Sequence, residues 1–236
     1  MTVRKISRMQ FLPRWLRIAI LVVVIVLAIP YVLTPLYRFV DPVSTSMLWR
    51  SITGQRVQST YVPLSAIAPI LPLTVIMSED GRFCFHRGVD FRELRAALTE
   101  TDDFDEMRGG STITQQLAKN LFLWQGRSVV RKALEFPLAL WINLTLPKRR
   151  VMEIYLNIAE WGPDGEFGIE AGAQRAFRKP ARALTASEAA LLAAMLPNPR
   201  ERDARAPGPG VRRLGGIYVR RAANSPGNDV CLRQNR

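Results

Sequence analysis

The run Gly109-Gly110-Ser111-Thr112-Ile113-Thr114-Gln115-Gln116-Leu117-Ala118-Lys119-Asn120 opens on two glycines and a serine suited to cap a helix, then places apolar side chains with helical spacing. It predicts a helix whose N-terminus points into a cleft. The same three- and four-residue spacing recurs over 91–98, 129–146, 151–158 and 184–196, and no strand-like alternation of comparable length appears. Thr185-Ala186-Ser187-Glu188 reads as a capping box, with Pro197 and Pro199 closing the helix it opens. Pro137 should kink the 129–146 segment or divide it into two helices. The chain is therefore expected to carry a mainly α-helical domain over residues 73–200.

Upstream, Ser78-Glu79-Asp80-Gly81-Arg82-Phe83-Cys84-Phe85-His86-Arg87-Gly88-Val89-Asp90 combines three carboxylates, the only histidine and two glycines with aromatic neighbours. A solvated loop has no use for so many aromatics, and a core segment would not carry so many charges. The mixture suits the wall of a cleft, where apolar packing lifts a carboxylate's pKa into the range of a general base. A helix cap with a solvated neighbour is the plainer alternative for the Glu79-Asp80 pair.

Around this centre the chain divides by composition. Residues 1–17 are basic, with Arg4, Lys5, Arg8, Arg14 and Arg17 and no acid. Residues 18–37 hold no charged side chain, enough for about 30 Å of helix, the thickness of a bilayer's hydrocarbon core. Together they predict one transmembrane helix, with the N-terminus in the cytoplasm and the rest outside. Pro30 and Pro35 could kink or end that helix early. Residues 38–72 read as a membrane-proximal connector, and 201–236 as a basic, solvated tail with no assigned fold. The net charge of +13 calls for an anionic partner, a phospholipid surface or a phosphate-bearing substrate; nucleic acid is disfavoured for a domain outside the cytoplasm. Cys84 and Cys231 show no metal-ligand spacing, and one distant pair makes no disulfide framework, so their pairing stays open.

Five ordered motifs carry a resemblance. They are Glu79-Asp80 with Phe83, His86, Gly88 and Asp90; the run 109–120; Arg131-Lys132-Ala133-Leu134-Glu135; Lys148-Arg149-Arg150-Val151-Met152-Glu153-Ile154-Tyr155-Leu156-Asn157; and Phe167-Gly168-Ile169-Glu170-Ala171 with 184–199. In this order they resemble the peptidoglycan glycosyltransferases, and Ala159-Glu160-Trp161-Gly162 is similar to the monofunctional, membrane-anchored branch. Gly172 stands where the family usually has alanine, and Arg178 where a glycine commonly precedes Lys179. Beyond Arg200 the match weakens.

The resemblance implies a lysozyme-like helical glycosyltransferase domain in the cell inner membrane, facing the periplasm, that polymerises lipid II into glycan strands. The growing strand and other cell-wall synthesis proteins would be its partners. It further implies that Glu79 is the general base and Glu135 the second essential glutamate, with an ion pair to Arg131 or Lys132 as the plainer role for Glu135. Ser111, Thr112, Gln115, Gln116, Lys119, Asn120, Arg127 and Lys132 would bind substrate, while Asp80, His86, Gly88 and Asp90 shape the first loop. Glu153, Tyr155 and Asn157 read as internal bracing, and Lys148 and Arg150 as exposed contacts for phosphate or lipid head groups. No metal ligand set is expected; a magnesium or manganese ion at the diphosphate, bridging to Asp80 or Glu79, stays open. A lysozyme-like glycan-cleaving enzyme and an inactive membrane-tethered scaffold are the rival readings.

Overall fold

Hydrophobic spacing at helical period produces helices almost throughout. The computed structural model describes residues 13–100, 110–126 and 128–233. Arg4, Lys5 and Arg8 of the basic N-terminus, Gly109 and Arg127 lie outside them. In chain order the α-helices are α1 (Arg14–Leu36), α2 (Thr45–Ile52), α3 (Ile70–Glu79), α4 (Phe91–Glu100), α5 (Ile113–Phe122), α6 (Val129–Thr145), α7 (Lys148–Ile158), α8 (Ile169–Phe177), α9 (Ala186–Met195), α10 (Pro209–Ala223) and α11 (Val230–Arg233). The strands β1 (Gln58–Ser59) and β2 (Glu166–Phe167) pair in parallel, with Gln58 opposite Glu166.

Two helices make the centre. In α9 the small side chains Ala189, Ala190, Ala193 and Ala194 are fully buried, which lets α3 and α10 approach it closely. In α7 every residue from Val151 to Ile158 except Glu153 is buried. Glu153 accepts from the amide of Leu64, and Asn157 exchanges hydrogen bonds with both backbone groups of Val62, so the bracing expected of this motif fastens the connector to the core.

α1 runs for 23 residues, about 35 Å at helical rise; its apolar stretch is exposed from Ile18 to Ile29 and buried only at Pro30 and Thr34. One N-terminal helix of this length and composition suggests membrane anchoring. It continues through Pro30 and Pro35 instead of ending early. At its end the Tyr31 carbonyl accepts from the Trp141 indole on α6 (3.0 Å), and Tyr37 stacks on Phe122 of α5. The helix is thus docked on the domain. α6 likewise passes through Pro137 as one helix, because its buried face, Glu135, Leu138, Ala139 and Ile142, is held by tertiary packing that outweighs one missing backbone bond.

The reading of 201–236 as a solvated tail is corrected. α10 opens with Pro209 in its first turn and buries Val211, Gly215, Tyr218 and Ala222 against α9 and α3, and Leu232 of α11 joins the core. Cys84 and Cys231 form a disulfide, with Cα atoms 5.4 Å apart. At the other end, the core recruits Leu64, Ile67, Ala68 and Leu71 from the segment read as connector.

Both departures in the last motif have local causes. Arg178 adopts a left-handed conformation (φ 56°) as the C-cap of α8, the place where glycine is usual. Gly172 packs its α-carbon on Trp161, whose Cβ would stand 2.5 Å from an added Cβ. Trp161 is itself 1 % exposed and donates to the Leu156 carbonyl (3.1 Å), so it has nowhere to retreat. Gly172→Ala should therefore cost about 1 to 3 kcal/mol by overpacking, against about 1 kcal/mol gained in helix propensity. Urea unfolding reads the balance; a variant more stable than the parent would show that Trp161 can shift.

Candidate active site

α3 ends on Glu79, and Asp80 is its C-cap. Asp80 ties three segments together. Its carboxylate accepts from His86 Nε2 (2.9 Å) and from the backbone amide of Ile113 (3.0 Å), the first residue of α5. A carboxylate at a helix N-terminus also meets the favourable end of the helix dipole. His86 Nδ1 accepts from the Gly88 amide (3.1 Å), which leaves Nε2 as the protonated nitrogen that donates to Asp80. Gly88 (φ 94°) lies where an added Cβ would come within 2.4 Å of the Ala139 carbonyl, and its own carbonyl accepts from Thr112 Oγ1 (2.6 Å). Asp90 accepts from the amides of Arg92 and Glu93 at the start of α4. Asp80, His86, Gly88 and Asp90 are thus each held by hydrogen bonds in the turn between α3 and α4.

The cap of α5 is Thr112, not Ser111. Thr112 and Gln115 form a reciprocal capping box, and both are buried. Their polar groups are engaged in the scaffold, and Thr112 also lines the cavity that contains Glu79. Ser111 is left free of the cap and accepts from Lys132 Nζ (2.5 Å).

Glu79 lies recessed beside α5, where Gln116 Nε2 donates to its Oε2 (2.9 Å) and the Tyr155 hydroxyl in turn donates to Gln116 Oε1 (2.8 Å). Burial pushes the Glu79 carboxyl above the usual range; the Gln116 bond and the charges of Lys119 and Arg202 oppose this, and Asp80 adds to it. Lys119, four residues beyond Gln115, has its amine pushed down by burial and by Arg131, with Glu79 opposing. Lys132 is pushed down to about 8 by burial and by Arg131 and Lys119, and its Nζ stands 3.1 Å from Glu135. Glu135 itself is 2 % exposed and pairs with both Arg131 and Lys132. Arg131 also donates to the Gly126 carbonyl (2.9 Å).

The cleft opens on both sides of this chain of contacts. One part, about 360 Å³, is lined by Glu79, Gly81, Glu93, Ser111 and Arg221 among others; the second, about 280 Å³, by Gln116, Lys119, Asn120, Tyr155, Asn198 and Arg200 among others. Ser46 of the connector lines the second part and accepts from Gln125 (2.8 Å). Sequence reasoning missed Ser46, Arg202, Tyr218 and Arg221. The last two sit on α10, whose apolar spacing Val211, Leu214, Tyr218, Ala222 behind a Pro-initiated turn was the available signal.

Lys148 and Arg150 are not surface ligands. Lys148 Nζ stands 4.4 Å over the Phe83 ring with no hydrogen-bond partner among the described residues, and burial pushes its amine down to about 8 against the pull of Asp80. Arg150 is used up on the carbonyls of Tyr37 and Val40, on Asp41 and Tyr61, and on Glu153, fastening the end of α1 to α7. Both oxygens of Asp80 accept from the protein. Among the described residues no three His, Cys, Asp or Glu side chains are placed to share a metal ion.

A carboxylate with a raised pKa beside clustered cations can take a proton from a hydroxyl while the cations stabilise a departing anion. Comparison with known proteins gives this geometry a family. The family model described as Transglycosylase matches residues 46–213. The chain belongs to the transglycosylase family. Proteins called biosynthetic peptidoglycan transglycosylase are similar to it over most of their length. That of Nitrobacter hamburgensis is 58 % identical over 209 residues, 89 % of this chain and 92 % of the relative. That of Rhodopseudomonas palustris is 57 % identical over 223 residues, 94 % of each chain, and that of Agrobacterium fabrum 49 % over 215, 90 % of this chain and 95 % of the relative. The transglycosylase match extends past Arg200 into α10, as the packing of that helix requires.

Proposed function

We propose that this transglycosylase is a peptidoglycan glycosyltransferase that polymerises lipid II into glycan strands, releasing undecaprenyl diphosphate. One observation carries the reading: the recessed Glu79 is in electrostatic contact with Lys119, and Lys119 with Arg131 and Lys132. Glu79 takes the proton of the acceptor sugar's 4-hydroxyl as that oxygen attacks the donor's anomeric carbon from the face opposite the diphosphate, which inverts the configuration. Gln116, held by Tyr155, orients the carboxylate. The diphosphate gains charge as it leaves, and Lys119, Lys132 and Arg131 stabilise it. Glu135 fixes the last two by ion pairs, which makes it a positioning residue here. Gln116, Asn120 and Ser111 remain as polar contacts to substrate, and a divalent ion, where the reaction uses one, would be held by the substrate diphosphate with Glu79 or Asp80.

The placement in the inner membrane with the domain in the periplasm is supported by Arg14 and Arg17 at the start of α1 and by the disulfide, a bond that persists in oxidising compartments. Net charge of +13 suits both an anionic membrane and a diphosphate substrate.

Incubating the purified chain with labelled lipid II and separating polymer, unreacted lipid and cut glycan tests the reading. Polymer is expected; shortening of preformed glycan without polymer would make the protein a hydrolase. In the same assay Lys119→Ala should cost about 3 kcal/mol of transition-state stabilisation, as for a preorganised electrostatic donor. Near-normal turnover would remove Lys119 from the leaving-group site.

A further inference from the structure

The turn that follows Glu79 is held from two sides. From within, Asp80 bonds His86 and Phe83 is fully buried. From outside, the chain's last segment returns to it: Asn228 Nδ2 donates to the Gly81 carbonyl (3.1 Å), Cys231 is disulfide-bonded to Cys84, and the Cys231 amide points at Cys84 Sγ (3.3 Å). This segment has its own anchorage. The Leu232 carbonyl accepts from Arg149 on α7 (3.2 Å), Arg233 pairs with Asp229 (2.9 Å), and Leu232 is buried. Gly81 and Arg221 both line the part of the cleft that contains Glu79, and Tyr218 of α10 feels the Glu79 charge. The two cysteines are 147 residues apart, so the bond joins the first wall of the cleft to the end of the fold.

We propose that the Cys84–Cys231 disulfide, with Asn228 beside it, is a positioning clamp that holds the turn after Glu79, so that glycosyl transfer depends on the bond being oxidised. The inference rests on Glu79 as the base. Both cysteines are partly exposed, so a reductant reaches them. A dithiol reductant transfers two electrons and two protons: the protein gains two thiols and the reductant closes its own disulfide. Freed from the clamp, residues 81–85 and the end of α10 admit water to a carboxylate whose pKa is raised chiefly by burial. The groups facing Glu79 are Asp80 at the end of α3, Gln116 and Lys119 on α5, Tyr155 on α7, Arg202 after α9 and Tyr218 on α10. Hydration therefore lowers its pKa, and the acid limb of the pH profile moves to lower pH.

The test uses the full chain in detergent, oxidised and dithiol-reduced, with lipid II as substrate. Reduction should raise the titratable thiols from none to two per chain and leave helix content by circular dichroism unchanged. It should lower kcat by about tenfold, within the cost of a misplaced catalytic group, with KM changed less. The acid limb should shift downward, and hydrogen exchange over residues 77–86 should quicken while α7 is unaffected. The Cys84→Ser/Cys231→Ser double variant should reproduce all of this without reductant. Unchanged kcat and acid limb in the fully reduced protein would overturn the clamp, as would two free thiols before reduction or a general loss of helix after it. Glu79→Gln assayed in parallel separates the two claims. If that variant polymerises normally the base assignment is wrong, and the exchange of residues 77–86 alone then judges the clamp, which falls if reduction leaves it unchanged.

Discussion

Glu79→Gln is expected to slow glycan polymerisation by about 10²- to 10⁴-fold, the range for loss of a general base. Glutamine keeps the size of the side chain and one oxygen to accept from Gln116, but it cannot take the acceptor's proton. Lipid II binding should survive, because Lys119, Lys132 and Ser111 do not depend on the carboxylate for their position. The pH profile gives a second reading. The reaction needs the ionised carboxylate, and burial raises its pKa, so the parent's rate should fall with decreasing pH already above the ordinary carboxylate range. On the alkaline side, burial and mutual repulsion push the amines of Lys119 and Lys132 down, the latter to about 8, so their stabilising charge is lost as pH rises. A bell-shaped profile results, and the glutamine variant should lack its acid limb. A variant that polymerises near the parental rate with that limb intact would place the base elsewhere.

Glu135→Ala should cost both stability and activity. The carboxylate is 2 % exposed and compensates two cations, so its removal strands Arg131 and Lys132 beside Lys119. Breaking a buried ion pair from one side destabilises by about 3 to 5 kcal/mol. Chemical unfolding should show that loss, and turnover should drop because the cations no longer converge on the leaving group. The double change Lys132→Met with Glu135→Leu removes one cation along with its partner. It should recover part of the stability and little of the activity. Full recovery of both would mean that the pair serves packing alone.

These two glutamates show how far sequence reached. Glu79 stood out because aromatics, carboxylates and a lone histidine crowded one short run. Glu135 was legible as a member of a motif, with its pairing to Arg131 and Lys132 open, since residues three and four apart on a helix always meet. What the run 109–120 did not disclose was the division of labour among its polar side chains. Ser111 and Thr112 are both good caps, and only the Thr112–Gln115 capping box and the Thr112 bond to Gly88 show which one the fold spends. Lys148 and Arg150 open a helix in sequence and so read as exposed. Their burial comes from Phe83 and from the end of α1, both distant in the chain.

Helical period fixed the helical class, and the apolar run an N-terminal helix long enough to span a membrane, because each is a local pattern that repeats within one turn or one segment; the transglycosylase family was reached through the resemblance that five ordered motifs carry. The tertiary structure alone decided that Cys84 meets Cys231, that α10 walls the cleft with Arg221 and brings Tyr218 within electrostatic reach of Glu79, and that α1 is docked through Trp141 and Arg150. Those are contacts between segments about 100 or more residues apart, and a chain's local pattern carries no record of which distant surface will cover it.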